Sequence, residues 1–435
     1  MIYDIIKLLN LEQFNVKFQS IETAKIDNTL FCYITLEKDI HVCPICGGTE
    51  SVIHDYQKKK IKHSISTNNP CFIIYKARRY KCEYCSKIFY EVNPFACKFD
   101  KLSIFTIHIV LNALKSHTKT FSDVAKDYKL SLNSVINIFD QYVDYKRNTL
   151  PKVLCFDEVY TSRKSYQKYA FVMVDFLKSK IVEVFSSRHK YRLVQNFSAI
   201  PQSERDNVSH IIIDMWDTYL DLSKIYFKRA LIVVDSFHVI QHLNNAMTNI
   251  RLKIMRKFDH RTKSLLANDI YYYMLKRFHY YFIKNYEEIY DKPLYIHKMQ
   301  TSWTKDEIRK YLLMIDEDLS YAYYLKERYR EFNLTAEYET CDEEFDYLIE
   351  HFINSHLEEF RTFGKLLIRW RPYIKNSFIR INGRRLSNGP MEGINSRIKT
   401  IMKTANGYKN FNRLRNRIVY SINKNVPINI TQKNK

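Results

Sequence analysis

Acidic residues run out well before the chain does. Glu392, in the segment NGPMEGINSRIK, is the last of them, and the 43 residues after it hold ten Lys and Arg but no Asp or Glu. Long apolar runs are also missing. None reaches the about 18 residues needed to span a bilayer, which excludes a spanning helix and leaves no membrane partner expected. The amino terminus, MIYDIIKLLNLEQF, carries Asp4 and lacks the basic n-region of a secretory signal, so a cytoplasmic location is expected. Nine cysteines, an odd number in a chain without an export signal, argue against a disulfide framework and leave metal binding as the better use for clustered thiols. Glycine is scarce at 7 residues, while Lys, Ile and Asn recur throughout; AT-rich coding alone produces such a bias, so no function is drawn from it.

What is present is large and cationic. At 435 residues the chain exceeds one ordinary domain, and 46% apolar residues suffice for packed cores. Lys plus Arg number 69 against 47 Asp plus Glu, a formal net charge of +22, which predicts a polyanionic partner without separating DNA from RNA or an acidic membrane. The composition divides into an amino-terminal segment (1–38), a cysteine module (39–98), a helical module (99–150), a strand-rich stretch (151–240), a Tyr-, Lys- and Arg-rich helical block without strands (241–383) and a terminal helix with a basic tail (384–435).

Cys43-Pro-Ile-Cys46 and Cys82-Glu-Tyr-Cys85 are two CxxC knuckles with 35 residues between them. Each turn aims two sulfurs at one point, and together they supply four thiolates for a tetrahedral Zn²⁺. Gly47 and Ser86 follow the knuckles and allow the tight turn. His41 and His63 can replace a ligand, though nothing requires it; Cys32, Cys71, Cys97, Cys155 and Cys341 fit as small buried residues. Residues 101–117 predict a helix with Leu102, Phe105, Ile109 and Leu114 as its apolar stripe. Phe121, Val124, Ala125 and Tyr128 form a second stripe, Lys129-Leu130-Ser131 a turn, and Val135, Ile138 and Phe139 the buried face of a third helix capped by Ser131. The pattern matches a helix-turn-helix, which would offer Asn133, Ser134 and Asn137 to base edges; a plain helical hairpin is the alternative.

From Pro151 the pattern turns to strands. KVLCFDEV contains Asp157, KYAFVMVDF and KIVEVFSSR are joined by LKSK, HIIID ends on Asp214, and RALIVVDSFHV ends its strand on Asp235, with helices expected near 190–199 and 217–227. Three hairpin-linked strands, helix, strand, helix, strand is the order of the RNase H-like fold, whose strands lie side by side as 3-2-1-4-5. Strands one and four are then parallel neighbours about 4.8 Å apart, so Asp157 and Asp214 can share metal ions, while Asp235 is one strand further away. Asp175 falls at the wrong end and suits a turn. Trp303 and Trp370 in the helical block are expected in the core.

Glu392 has two accounts. With Pro390 at the first position of a helix, it falls near the third, where a Glu commonly caps the backbone. As a lone carboxylate beside a cationic tail, it can instead hold a divalent cation while the basic residues hold a polyanion. Along this helix Ile394, Ile398, Ile401 and Met402 form an apolar face. Glu392, Asn395, Lys399 and Lys403 share another, which makes Asn395, Lys399 and Lys403 candidate DNA contacts.

Together these features resemble the bacterial insertion-sequence transposases of the ISL-three type. The resemblance covers most of the chain and rests on CPICG with CEYC, on FDEV, on VDSFHV, and above all on NGPMEGINSRIK followed by NGYKNF. It implies a multidomain α/β protein: a zinc ribbon and helix-turn-helix, then an RNase H-like core interrupted by a helical insertion before the final Glu. It implies a DNA transposase in which Asp157, Asp214 and Glu392 hold Mg²⁺ (or Mn²⁺) for strand cleavage and strand transfer. Related transposases carry a Cys-or-Asp, two residues, His motif after the second catalytic acid. Asp235 and His238 match it, which gives them a supporting role and leaves Asp235 open as the alternative second acid. Terminal inverted repeats and target DNA are the implied partners of a homo-oligomer that is nucleoid-associated when bound. A regulator that lost catalysis and a nuclease that cuts without joining remain as rivals.

Overall fold

The computed structural model describes residues 2–64, 69–97, 100–161, 168–262 and 265–424. It forms two compact units, one of Met1–Arg147, Tyr160–Lys168 and Ile394–Lys435, the other of Asn148–Val159 and Tyr169–Gly393.

In the first unit, helix α1 (Ile2–Leu8) precedes strands β1 (Phe18–Ile26), β2 (Thr29–Leu36), β3 (Ser51–Lys62), β4 (Cys71–Cys82) and β5 (Ile88–Tyr90). Asp27 and Asn28 both take positive φ (44° and 60°), the backbone that a two-residue hairpin between β1 and β2 requires. The strands form one sheet in the order β1-β2-β4-β3, with β5 on the far part of β4. Residues 1–38 are therefore not a separate segment. Leu30 to Ile34 of β2 pair in parallel with Cys71 to Tyr75 of β4, and the alternation of both strands sends Cys32, Ile34, Ile73 and Tyr75 into one core with Leu9 and Leu11.

Helices α2 (Ile104–Ala113), α3 (Phe121–Asp127) and α4 (Leu132–Tyr142) follow. Ser103 caps α2 by accepting from the Thr106 amide, so the helix starts later than expected, and its buried residues are Thr106, Ile107, Val110 and Leu111 rather than Phe105 and Ile109. Thr120 and Asp123 form a reciprocal capping box on α3. Lys129 reverses the chain with φ 51°, and Ser131 caps α4, which buries Val135, Ile138 and Phe139.

The second unit holds β6 (Val153–Tyr160), β7 (Tyr169–Asp175), β8 (Lys180–Phe185), α5 (Lys190–Ser198), α6 (Gln202–Asp206), β9 (His210–Ile213), α7 (Asp217–Tyr226), β10 (Leu231–Val234) and α8 (Ser236–Lys257). Its sheet runs β10-β9-β6-β7-β8, with β6, β9 and β10 mutually parallel. Helices α9 (Asp269–Arg277), α10 (Lys305–Met314), α11 (Glu317–Thr335), α12 (Asp342–Ile353) and α13 (Glu358–Lys375) bury Phe332, Phe345, Phe352, Leu367 and Trp370. The block is not free of strands. Leu294–Ile296 pairs with Thr301–Trp303, and Arg380–Ile381 pairs with Arg384–Arg385 across Asn382-Gly383, both at positive φ. Ladders of two or three residues leave no alternation long enough to see in a sequence.

Helix α14 (Gly389–Thr404) starts in the second unit and ends in the first, and α15 (Phe411–Ile422) belongs to the first. Among the described residues, the expected basic tail therefore includes a packed helix, α15. Arg417, 1% exposed, donates to the carbonyls of Leu114, Ser116 and Lys119 at the end of α2 and the start of the next turn. Tyr420 bonds the Leu111 carbonyl at 3.0 Å and joins the α2–α4 core, and Arg413 forks onto Asp140 of α4 at 2.5–3.1 Å. No helix among the described residues is long and apolar enough to cross a membrane.

Candidate active site and zinc-binding module

Each knuckle is closed by its own backbone. The Gly47 amide bonds the Cys43 carbonyl at 2.9 Å and the Ser86 amide bonds the Cys82 carbonyl at 3.0 Å, with Gly47 and Ser86 both left-handed (φ 75° and 57°). The two turns bring the sulfurs of Cys43 and Cys85 to 3.7 Å and those of Cys46 and Cys82 to 3.5 Å. A tetrahedron with Zn–S bonds of about 2.3 Å has S···S edges of about 3.8 Å, so the donor set fits a structural Zn²⁺. Neither histidine joins the set. His41 packs on Tyr80 and lies 3.8 Å from Glu91, and His63 is buried between Ser103 Oγ (2.9 Å) and the Leu9 carbonyl (2.7 Å). The other cysteines are free thiols, buried except for the half-buried Cys97.

The second site follows from sheet register. Val153, Leu154 and Cys155 of β6 stand opposite His210, Ile211 and Ile212 of β9; the same register carried on two residues sets Asp157 level with Asp214. Val234 of β10 stands opposite Ile213, and the Asp235 amide bonds the Ile213 carbonyl at 3.0 Å, so Asp235 follows in the same row. Three aspartates thus line the carboxyl end of three adjacent parallel strands, with Asp214 in the middle.

Their surroundings differ. Asp235 is 5% exposed and caps α8, accepting from the Phe237 amide. Burial, opposed by the nearby His238 charge, pushes its carboxyl above the usual range. Asp214 is partly exposed, and its Oδ1 accepts from both His238 Nε2 and Asn388 Nδ2 at 2.9 Å. Burial alone would lower His238; the Asp214 hydrogen bond and the charges of Asp214, Asp235 and Asp157 outweigh it and hold the imidazole above its ordinary value. Asp157 and Glu158 are adjacent on β6 and so point to opposite faces. Glu158 is taken by Arg188 and by the Tyr219 hydroxyl at 2.7 Å, while Arg188 stacks on Tyr169 and Trp216.

Asn388 is the residue that local sequence signals did not single out. It is buried, and its amide donates to the Phe156 carbonyl (3.4 Å) and to Asp214 Oδ1 (2.9 Å). One side chain therefore ties the ends of β6 and β9, at the cost of leaving its own Oδ1 without a partner. Its place directly before Gly389-Pro390, where a helix cap belongs, was the available signal. Glu392, one turn into α14, is exposed, and its carboxylate has no hydrogen-bond or ion-pair partner among the described residues, so it does not cap the backbone. Ile394, Ile398 and Ile401 are buried, Lys399 and Lys403 exposed, and Asn395 half-buried. Among the described residues, the four cysteines are the only group of three or more such side chains with ligand atoms within 4.8 Å of one another; Asp157, Asp214 and Glu392 are not gathered to that range.

The family model described as "Transposase" matches residues 154–418, and the model described as "zinc-finger of transposase IS204/IS1001/IS1096/IS1165" matches residues 39–85. No curated protein matches the chain. The first match spans the parallel strands, the helical block and α14, the second both knuckles, and with more than half of the chain covered, the protein belongs to the ISL3-type insertion-sequence transposases.

Proposed function

We propose that the protein cuts and joins DNA with a triad of Asp157, Asp214 and Glu392 on an RNase H-like core. The observation that supports this most is the row of aspartates. Asp157 and Asp214 stand in register on neighbouring parallel strands, about 4.8 Å apart by strand spacing, whereas Asp235 is a further strand away, buried and engaged as a helix cap. Asp214 is held through Oδ1 by His238 and Asn388, which leaves its second oxygen for a cation. His238 and Asn388 are positioning residues, as is Asp235 through the start of α8. Glu392, exposed and unpartnered, completes the set when the first turn of α14 closes on the two aspartates. Divalent cations, Mg²⁺ or Mn²⁺, would activate water and then a 3′-hydroxyl and stabilise the entering and leaving oxygens.

In the first unit, α2–α4 serve as a helix-turn-helix for the terminal inverted repeats. Asn133 and Asn137 are exposed on α4; Ser134 is spent largely on Ser131, 2.8 Å away. Lys399 and Lys403 are phosphate contacts, and an oligomer holds two ends together.

The test is a metal-dependent cleavage and strand-transfer assay on element ends. Asp157→Asn, Asp214→Asn and Glu392→Gln abolish both steps and keep end binding, and Asp235→Asn retains partial activity. An active Asp214→Asn beside a dead Asp235→Asn would make Asp235 the second acid. Cleavage without joining would make the protein a nuclease, and binding without either a regulator. Asn133→Ala and Asn137→Ala weaken the element end by about 1–3 kcal/mol relative to random duplex; equal losses would displace α4 from its role.

A further inference from the structure

The sheet of the first unit has two unlike faces. One carries Cys32, Ile34, Ile61, Ile73 and Tyr75 into the core. On the other, Phe31, Phe72 and Ile74 stay partly exposed, Tyr33 and Tyr56 are 38% and 48% exposed, and Lys58, Lys60 and Lys76 are exposed. Register sets them in rows. Tyr33, Ile74 and Lys60 lie side by side across β2, β4 and β3, and Phe31, Phe72 and Lys62 form the next row. The Phe31 and Phe72 rings are nearly parallel, 19° apart with centroids at 5.9 Å. Lys60 Nζ sits 4.5 Å from the Phe72 centroid and 5.3 Å from that of Phe31, and Lys76 Nζ lies 4.5 Å over Tyr56. Strands β2 and β4 contain no acidic residue, and the one acid of β3, Asp55, is paired with Arg79.

We propose that this face binds unpaired DNA, with Phe31 and Phe72 as stacking platforms and Lys58, Lys60 and Lys76 on the phosphates. Its dependence on the function proposed above is limited to DNA being the polyanion. Duplex phosphates are served by cations alone, and rings among the lysines add nothing to a partner whose bases are already stacked. Unpaired bases offer bare π-faces, and rings interleaved with lysines are how sequence-neutral single-strand binders hold them. Alternate residues of β3 put Lys58 and Lys60 about 6.8 Å apart, a spacing suited to a repeating backbone charge. Exposed cation–π contacts are weaker than base stacking, so Lys60 can leave the rings for a phosphate. The face also leads toward the helical module: Lys62 Nζ donates to the Lys129 carbonyl in the turn before α4. The ordinary alternative is that lysine stems merely screen two surface rings from water.

The experiment measures binding of the full-length, zinc-loaded protein to a short fluorescent oligothymidylate and to a random duplex of equal length. Phe31→Leu with Phe72→Leu keeps the positions apolar and removes the rings. The expected result is a loss of about tenfold or more on oligothymidylate, with the duplex changed by less than about twofold. Unchanged oligothymidylate binding overturns the proposal, and so do equal losses on both probes. If zinc content or circular dichroism shows that the ring variant is misfolded, Lys58→Gln with Lys60→Gln decides. It should weaken oligothymidylate and flatten its salt dependence, and no change in either overturns the proposal. The random duplex is the control: a face specific for unpaired DNA leaves it unchanged whether or not the helical module reads bases.

Discussion

The four sulfurs of the first unit and the three carboxylates of the second were both expected to hold metal ions, and they are arranged differently. The sulfurs already stand at the edges of a tetrahedron, 3.5–3.7 Å apart in two pairs. The carboxylates do not gather: Asp157 and Asp214 share a sheet register, and Glu392 stands exposed on another element. The sulfurs are placed by two local turns, whereas the carboxylates come from a sheet and a separate helix far apart in the chain. A structural metal holds a fold together, while a catalytic one has to admit substrate. The difference teaches that a ligand set made by local turns is complete within one module, while one drawn from distant elements depends on how those elements pack.

The contrast breaks most severely at the zinc module. Cys82→Ser should release zinc and unfold the ribbon, since structural zinc contributes on the order of 10 kcal/mol of folding free energy. Metal content together with limited proteolysis should show the amino-terminal unit cut and residues 169–393 protected.

A second break lies at the buried arginine. Arg417→Met leaves the carbonyls of Leu114, Ser116 and Lys119 without their donor and should cost about 3 kcal/mol. The denaturation midpoint of the amino-terminal unit should fall and DNA binding with it. An unchanged midpoint would mean that α15 is not needed for that core.

Acid should weaken the same unit by a comparable amount. Burial keeps His63 neutral, with its folded value near 4 against about 6.5 when unfolded. Its contribution is complete above pH 6.5. It is lost as pH falls toward 4, because the unfolded chain takes up the proton first, a span worth about 3 kcal/mol. Urea midpoints of the wild type and His63→Asn at pH 7 and pH 4.5 should differ less at the lower pH.

The smallest effect sharpens the comparison from the carboxylate side. Asp157→Asn in metal-free buffer should move the denaturation midpoint by no more than about 1 kcal/mol, while the cleavage assay loses its signal. A large loss of stability would make Asp157 structural.

Parts of this molecule could be foreseen because their causes are local. Two CxxC turns announce themselves by spacing, the Lys129-Leu130-Ser131 turn by its cap, and the strands of the second unit by apolar runs that end on Asp. What stayed hidden depends on partners far away in the chain. Arg417 looks like one more solvated cation, because nothing near residue 417 shows that three carbonyls some 300 residues earlier await a donor. Asn388 looks like a helix cap, and its bonds to Phe156 and Asp214 exist only once β6 and β9 are aligned. The stripe of α2 was displaced because its phase is set by where Ser103 caps it, not by its apolar residues. The joining of β1 and β2 to the ribbon sheet needs a parallel pairing across the first knuckle, which carries no local mark.

Arg417 and Tyr420 also have a consequence for the order in which the protein comes into being. The helical module near residue 120 is among the first parts to be synthesised, yet its core is closed by a helix ending at Ile422. Domains ordinarily fold as they are made, amino-terminal first. Here the module must wait, with Leu114, Ser116 and Lys119 unsatisfied, until almost the whole chain has been translated. A truncated product therefore lacks a finished helical module as well as Glu392.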